Sequence, residues 1–478
     1  MLSKVINEKG KINYYLLGAL FIGFYIIAII YAFVRSPHYF SYFILFTPLA
    51  IVFFYFLIEK TEFVVLGYIA FIPLVQHLST KGVGVNDFLI TPHMLIQFIL
   101  LLVVVSKFIY AYDNEVRIKL TLLDKLLPLL GIASIFSLLY AYNFPTNNIK
   151  RWLLFYTGIF EPITFYFVIL YFLDREKNFS KNLLLAIAFS SFSALLIAAI
   201  EFRMTGYSII SIFLSRMRIG FGYHNTNLFG IHSALIFPVL FYLIVSRKYQ
   251  KYRIVTWTSF SVLLLLSVLC FNRGTFLVLG FQILLLYMIK ENRKIIYLLM
   301  IVFIGFAVYY NELIILYIFR FFSGTQANPL LDVSALNRFA AWVVGLKIIF
   351  NYPLGVGAGA FQYFWEYWGL DSSFYLGTPH QLFLSVGVDY GVSTLLIFIS
   401  ILLVAFYYSS KLSKIKSADD ENFFDYIRIS IIGYVSYGMI TDGELSHLSG
   451  FTFPNNGYTL FLILLLALIS YKYNLKKS

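Results

Sequence analysis

Runs of roughly twenty apolar residues, each long enough to cross the hydrocarbon core of a bilayer, recur along almost the whole chain. No water-facing fold can bury so many of them, and in lipid each run must bond its own backbone N–H and C=O groups. Each is therefore expected to be a helix. Candidate spans lie near 14–34, 39–58, 63–78, 88–110, 126–142, 152–173, 182–202, 225–245, 254–271, 274–289, 295–310, 382–408, 428–441 and 457–471. The runs at 63–78 and 428–441 are short and read as broken or re-entrant. The expected fold is all-α: one polytopic integral membrane domain over residues 1–478, with about 12–14 transmembrane helices. A hydrophobic fraction of 60%, 12% charged residues and a mean hydropathy of +0.82 exclude soluble globular and disordered classes. Tyr14–Val34 is too long for a signal-peptide core and lacks a small-residue cleavage site, so a retained anchor is expected.

A net charge of +13 would point to nucleic acid in a soluble protein. Here it follows the bias of membrane loops, and no nucleic-acid partner is expected. With the N-terminus inside, 23 of the 36 Lys and Arg residues fall in cytoplasmic segments and 11 in external ones, which favours that orientation with the C-terminus also inside. The external cations then need another reason to be where they are. Arg216, Arg218, Arg273 and Arg338, with His380, all fall outside or at the outer ends of spans. An anion-binding site on the outer face accounts for them; scattered surface charge is the plainer alternative.

Between the spans, residues 311–381 form one long loop, expected to be external and to contain amphipathic helices. Its helix, Leu336-Asn-Arg-Phe-Ala-Ala-Trp-Val-Val-Gly-Leu-Lys-Ile-Ile-Phe350, places Arg338 and Trp342 four residues apart on one face. A cation beside a flat aromatic there suits a glycosyl phosphate. Gly355-Val-Gly-Ala-Gly-Ala360 is not a dinucleotide loop, because no strand precedes it and the third glycine is misplaced. The glycines instead permit a tight reversal and close backbone approach. His380, in Thr378-Pro-His-Gln-Leu-Phe-Leu384, precedes a span and can accept a proton near neutral pH. Asp371, Glu366 and Asp389 are alternative carboxylate bases.

Outside the loop, Arg273 stands in Phe271-Asn-Arg-Gly-Thr275 between two apolar runs, where an arginine either snorkels or meets an anion. Guanidinium suits phosphate because it is always charged and offers a planar fork of donors. Arg216 and Arg218 end Ser208–Arg218, which reads as a short interfacial helix. It leads to His224 and Asn225, which either contact a sugar or cap the next helix. Glu161, before Pro162 inside a span, pairs with an arginine, holds a helix break or sits neutral. Cys270 alone rules out a disulfide framework, and no external His/Asp/Glu cluster has the spacing of a metal site. No cofactor is expected.

In order along the chain stand Gly222-x-x-Asn225-x-Asn227 followed by Pro238, and then Arg273-Gly274 at a span end. Asn337-Arg338-x-x-x-Trp342, Pro353-x-Gly-x-Gly-x-Gly-x-Phe361 and His380-x-x-x-Leu384 with Asp389-x-Gly391 follow. Over residues 205–395 this arrangement resembles the O-antigen ligase and O-antigen polymerase superfamily. The resemblance implies a metal-independent glycosyltransferase of the bacterial cytoplasmic membrane, working at its outer face. It would move a glycan from undecaprenyl pyrophosphate to a hydroxyl of an acceptor sugar. By the same resemblance Arg273 and Arg338 bind pyrophosphate, Arg216 or Arg218 helps, and His380 activates the acceptor. Asn225, Trp342, Asp389 and Glu161 are supporting candidates. Gln381, where Asn is common, Asp389 in place of Glu, and Ser393 in place of a frequent Gly depart from the pattern.

Both lines of reading lead to one expected reaction. The lipid pyrophosphate is already a good leaving group, so arginines need only stabilise the charge that develops on it while His380 takes the proton from the attacking hydroxyl. Direct displacement inverts the anomeric carbon. Phe361, Tyr363, Trp365 and Trp368 are candidates to stack on sugars. Expected partners are the undecaprenyl-pyrophosphate-linked glycan, the acceptor (a lipid-linked repeat, a core saccharide or another polymer), the bilayer and a chain-length regulator. Polymerase and ligase stay equally open. The rival readings are a flippase or small-anion transporter, which would show internal repeats and midplane broken helices, and a non-catalytic assembly partner.

Overall fold

The computed structural model describes residues 60–75, 84–85, 88–89, 96, 99–103, 120–143, 152, 155–205, 226–270, 272–309, 333–368, 378–414, 422–440 and 457–477. The spans expected at 14–34 and 39–58, most of that at 88–110, and the loop residues 311–332 lie outside them. The chain divides into two compact units, residues 1–67 with 98–118 and residues 68–97 with 119–478. The first is described only through the start of helix α1 (Thr61–Ala70) and a helical stretch at 99–103. The second holds everything that follows.

Apart from one two-residue antiparallel pairing, Gly84–Val85 with Phe88–Leu89, the described residues of this unit form helices and turns. They are α2 (Leu122–Tyr140), α3 (Glu161–Arg175), α4 (Phe179–Thr205), α5 (Thr226–Val245), α6 (Arg253–Leu269), α7 (Arg273–Tyr287), α8 (Arg293–Tyr309), α9 (Val333–Asn351), α10 (Phe361–Tyr367), α11 (Leu382–Lys414), α12 (Phe423–Ile440) and α13 (Gly457–Lys477). The protein is an all-α polytopic membrane protein. Among the described residues, α2, α4, α6 with the turn before it, and α11 are long and apolar enough to cross a bilayer. The pair α7 and α8, bent by 110°, would make a fifth crossing as a broken span.

Helix starts follow the local sequence. Thr121 caps α2 in a reciprocal box with Asp124, whose carboxylate also accepts hydrogen bonds from Tyr166 (2.6 Å) and Ser470 (2.8 Å). One acid, buried at 2% exposure, thereby ties α2 to α3 and α13 without leaving a bare charge in the apolar interior. Asn272 caps α7, its Oδ1 accepting the Thr275 N–H at 3.1 Å.

Helix α5 is buried along most of its length and packs on α4, α6, α7, α12 and α13. Pro238 interrupts it chemically: a proline has no N–H for the carbonyl four residues earlier, which is that of Ala234. Gln282 of α7 supplies the missing donor, its Nε2 lying 2.7 Å from Ala234 O and 3.1 Å from Ile429 O of α12. Gly433 makes room for this amide, since any Cβ there would overlap Gln282 Nε2. Gly433→Ala should therefore push Gln282 off both carbonyls and cost about 1–3 kcal/mol. A fall in the Tm of the detergent-solubilised protein would measure it; an unchanged Tm would show that the clamp carries no weight.

Helix α11 contains a break that positions the loop segments above it. Gly391 has φ 84° and ψ 170°, a conformation open essentially to glycine alone. The break strands the carbonyls of Val388 and Asp389, which lose their donors one turn on. The turn after α9 replaces them: Val356 N–H donates to Val388 O at 2.8 Å and Gly357 N–H to Asp389 O at 3.0 Å. In return Val392 N–H donates to Pro353 O at 2.8 Å. Ser137 of α2 donates to Asp389 O as well, at 2.9 Å, so α2 docks at the same break. Gly355, Gly357 and Gly359 all have positive φ, and the glycine run expected to allow close backbone approach does so here against α11.

Candidate functional site

His380 lies in the turn that leads into α11, with φ 51° in the left-handed region that histidine adopts uncommonly. Thr378 Oγ1 faces its N–H at 3.4 Å. The next residue, Gln381, caps α11: its Oε1 accepts the Leu384 N–H at 2.5 Å, and its Nε2 points to Met439 Sδ at 3.2 Å. The departure from Asn noted at this position is thus put to use, because the longer amide both caps its own helix and reaches the end of α12.

Helix α9 approaches the same turn. A Cβ built on Gly345 would stand 3.5 Å from Pro379 Cβ and 3.7 Å from Val388 Cγ2, so this face of α9 packs on the His380 turn and on α11. Arg338 and Trp342 lie seven and three residues earlier, on that face. Half-buried Arg338 donates through Nη1 to Ile440 O at 3.0 Å, the last carbonyl of α12. A guanidinium there meets the negative end of the helix dipole. The indole N–H of Trp342 is buried and has no hydrogen-bond partner among the described residues.

Arg273 opens α7 directly after its Asn272 cap. The Tyr437 ring of α12 lies over Gly274, and its hydroxyl shares a 3.4 Å hydrogen bond with Thr275 Oγ1. Gly230 of α5 leaves the space for this pair, as a Cβ there would overlap both oxygens. Tyr437 also lies within electrostatic reach of Arg338.

The last turn of α12 is therefore a hub of four consecutive residues. Tyr437 holds the start of α7 beside Arg273, Gly438 presses on Leu382 at the start of α11, Met439 takes Gln381, and Ile440 takes Arg338. The elements that carry Arg273, Arg338 and His380 meet there, although they are far apart in sequence. Gln381, Tyr437 and Thr275 were not among the expected site residues. Gln381 announced itself only as a departure from a pattern, and Tyr437 was hidden in a short run read as broken or re-entrant.

The other expected residues are placed differently. Asp389 is buried two turns into α11, and its backbone carbonyl holds the glycine turn. Glu161 is buried where the π-helical turn Tyr156–Phe160 passes into α3, its N–H bonded to Tyr156 O, so it stands at a helix irregularity. Arg216, Arg218 and Asn225 lie outside the described residues. The aromatic expectation is corrected in part. Phe361 and Trp365, each 1% exposed, pack with Ala341, Val344 and Ile348 beneath α9 and cannot stack on a sugar, while Tyr363 is 37% exposed. No three His, Cys, Asp or Glu side chains gather as metal ligands among the described residues.

Residues 258–399 match the family model of O-antigen ligase. The matched stretch takes in Arg273, Arg338, the glycine turn, His380, Gln381 and the break at Gly391. It bears out the resemblance to the O-antigen ligase and polymerase superfamily drawn from motif order. No curated protein matches the chain.

Proposed function

We propose that this membrane protein, with its O-antigen ligase match over 258–399, transfers a glycan from undecaprenyl pyrophosphate to a hydroxyl of an acceptor sugar at the outer face of the cytoplasmic membrane. The observation that carries the reading is the hub at the end of α12, which gathers the helix starts bearing Arg273 and His380 with Arg338 of α9. In the proposed step the acceptor oxygen forms a bond to the anomeric carbon as the carbon–oxygen bond to pyrophosphate breaks. The bonding pair leaves on pyrophosphate, and His380 takes the acceptor proton. Arg273 and Arg338 stabilise the departing charge, which grows only as that bond breaks. Attack opposite the leaving group inverts the anomeric carbon, and the arginines supply the charge without a metal. Arg216 and Arg218 would add to the cationic surface, and Trp342, beside Arg338, would line the donor side. The outer-face placement rests on charge: Lys411 and Lys414 stand at the end of α11 away from His380, as the inside bias of lysine favours.

Purified protein in liposomes, given an undecaprenyl-pyrophosphate-linked saccharide and chelator, should release undecaprenyl pyrophosphate and form a new glycosidic bond detectable by mass spectrometry. Movement of the lipid-linked saccharide across the bilayer with no bond formed would overturn the reading in favour of a transporter. A lipid-linked repeat as working acceptor marks a polymerase; a core saccharide marks a ligase.

A further inference from the structure

A polar cavity lies at the end of α11 remote from the arginine and histidine hub. It has a volume of about 350 Å³ and is lined by Leu120, Thr121, Leu122, Lys125, Tyr408, Tyr473 and Asn474. Three helices build it: the start of α2, the last turns of α11 and the end of α13. Beyond its break at Gly391, α11 runs about 17 residues to Tyr408, roughly 26 Å, so this cavity and the hub lie at opposite ends of α11. Its walls are ordered by aromatic contacts. Tyr408 and Tyr473 stack with centroids 3.7 Å apart at 10°, Tyr408 Oη takes the Leu122 N–H at 3.3 Å, and Lys411 Nζ lies 5.8 Å from the Tyr473 ring centre and 5.6 Å from that of Tyr407.

The charges here are cationic. Lys125 lines the cavity and Lys411 stands at its aromatic wall, both exposed. Among the described residues, the acid next to the cavity lining, Asp124, is buried and already bonded to Thr121, Tyr166 and Ser470. Below the cavity the flanks turn apolar. Leu122 and Leu129 share one face of α2 and are exposed, as is Leu403 of α11. A cationic, aromatic-walled cavity with exposed leucines on the helices that build it fits an amphiphile rather than a soluble anion, and basic pockets between transmembrane helices on the cytoplasmic side commonly take anionic head groups.

We propose that this cavity binds a phosphate-bearing anionic phospholipid of the leaflet opposite the hub, with Lys125 and Lys411 on its phosphate, Tyr408 and Tyr473 beside its glycerol, and its acyl chains along the α2 and α11 leucines. The site is independent of the transfer reaction and of which sugar is moved.

The test uses the full-length protein in nanodiscs of phosphatidylcholine with or without phosphatidylglycerol, with retained lipid counted by native mass spectrometry. Phosphatidylglycerol should be retained over phosphatidylcholine, and Lys125→Gln or Lys411→Gln should each weaken that retention about fivefold. Lys347→Gln, an exposed lysine on α9, should leave it unchanged. Equal retention of the two lipids, or retention unaffected by both lysine variants, would overturn the site. Inorganic phosphate or glycerol phosphate at millimolar concentration should not displace the lipid; displacement would overturn the lipid assignment and make a soluble phosphate the ligand. Because both lysines are exposed, their replacement leaves the buried packing intact, and an unchanged Tm confirms this.

Discussion

His380→Ala is expected to lower glycan transfer by about 10²–10⁴, the usual contribution of a positioned general base, while binding of the lipid donor is kept. In the proposed reading donor binding rests on the arginines, which reach the hub from α7 and α9. The left-handed backbone at His380 complicates the alanine variant, because alanine resists φ 51° more than histidine does. His380→Asn separates the two effects. Asparagine tolerates the left-handed region and keeps a polar side chain, but it takes up no proton at neutral pH. Both variants should lose transfer, and only the alanine variant should also lose some stability. Transfer measured with a lipid-linked saccharide at saturating donor decides it. Full activity in His380→Asn would sink the general-base assignment, and activity recovered in Asn but lost in Ala would make the role one of backbone shape.

Replacing Gly391 by alanine should have the largest effect on structure. At φ 84° and ψ 170° any side chain is strained, and a Cβ would stand 2.5 Å from Leu354 C, 2.6 Å from Leu354 O and 2.8 Å from Pro353 O. The turn cannot stay where it is. Its departure breaks the hydrogen bonds from Val356, Gly357 and Val392 and leaves the Val388 carbonyl, which has no other partner described here, in an apolar interior. Strain and lost bonds together give a cost of about 3–5 kcal/mol. A marked fall in Tm and faster proteolysis in the Pro353–Gly359 turn are the expected signs. Gly280→Ala of α7 is the control, because nothing lies within 4 Å of its Cβ position and the exchange favours a helix. A Gly391→Ala protein as stable as the Gly280→Ala protein would show that the break is not held as described. Since α9 precedes this turn and packs on the same part of α11, loss of the dock should also loosen Arg338.

How much of this was readable in the chain differs by element. Apolar runs gave α2, α4, α6 and α11 directly, because a span is a local property of twenty residues and its hydrogen bonds are its own. The run at 274–310 read as two spans, whereas α7 and α8 meet at 110°, an angle that hydropathy does not record. Arg338 and Trp342 were correctly assigned to one helical face, since that follows from 3.6 residues per turn. Phe361 and Trp365 were candidates to stack on sugars but are buried. An aromatic ring has the same sequence signature in a core as in a cleft, and only the packing of α9 over α10 distinguishes them.

The sequence by itself determined that the protein is a set of membrane helices, that several arginines and His380 fall outside or at the ends of apolar runs, and that the glycines at 355–359 permit close backbone approach. Local chemistry suffices for each: apolar length, charge against a bilayer, and the absence of a Cβ. Only the tertiary structure decided that the end of α12 joins the three chemistry-bearing segments, that Gln282 answers the carbonyl freed by Pro238, and that the Gly355 and Gly391 regions complete each other. Those are pairings between residues tens to hundreds of positions apart. A lone carbonyl or an amide reads the same in any chain until packing brings its partner within hydrogen-bond reach.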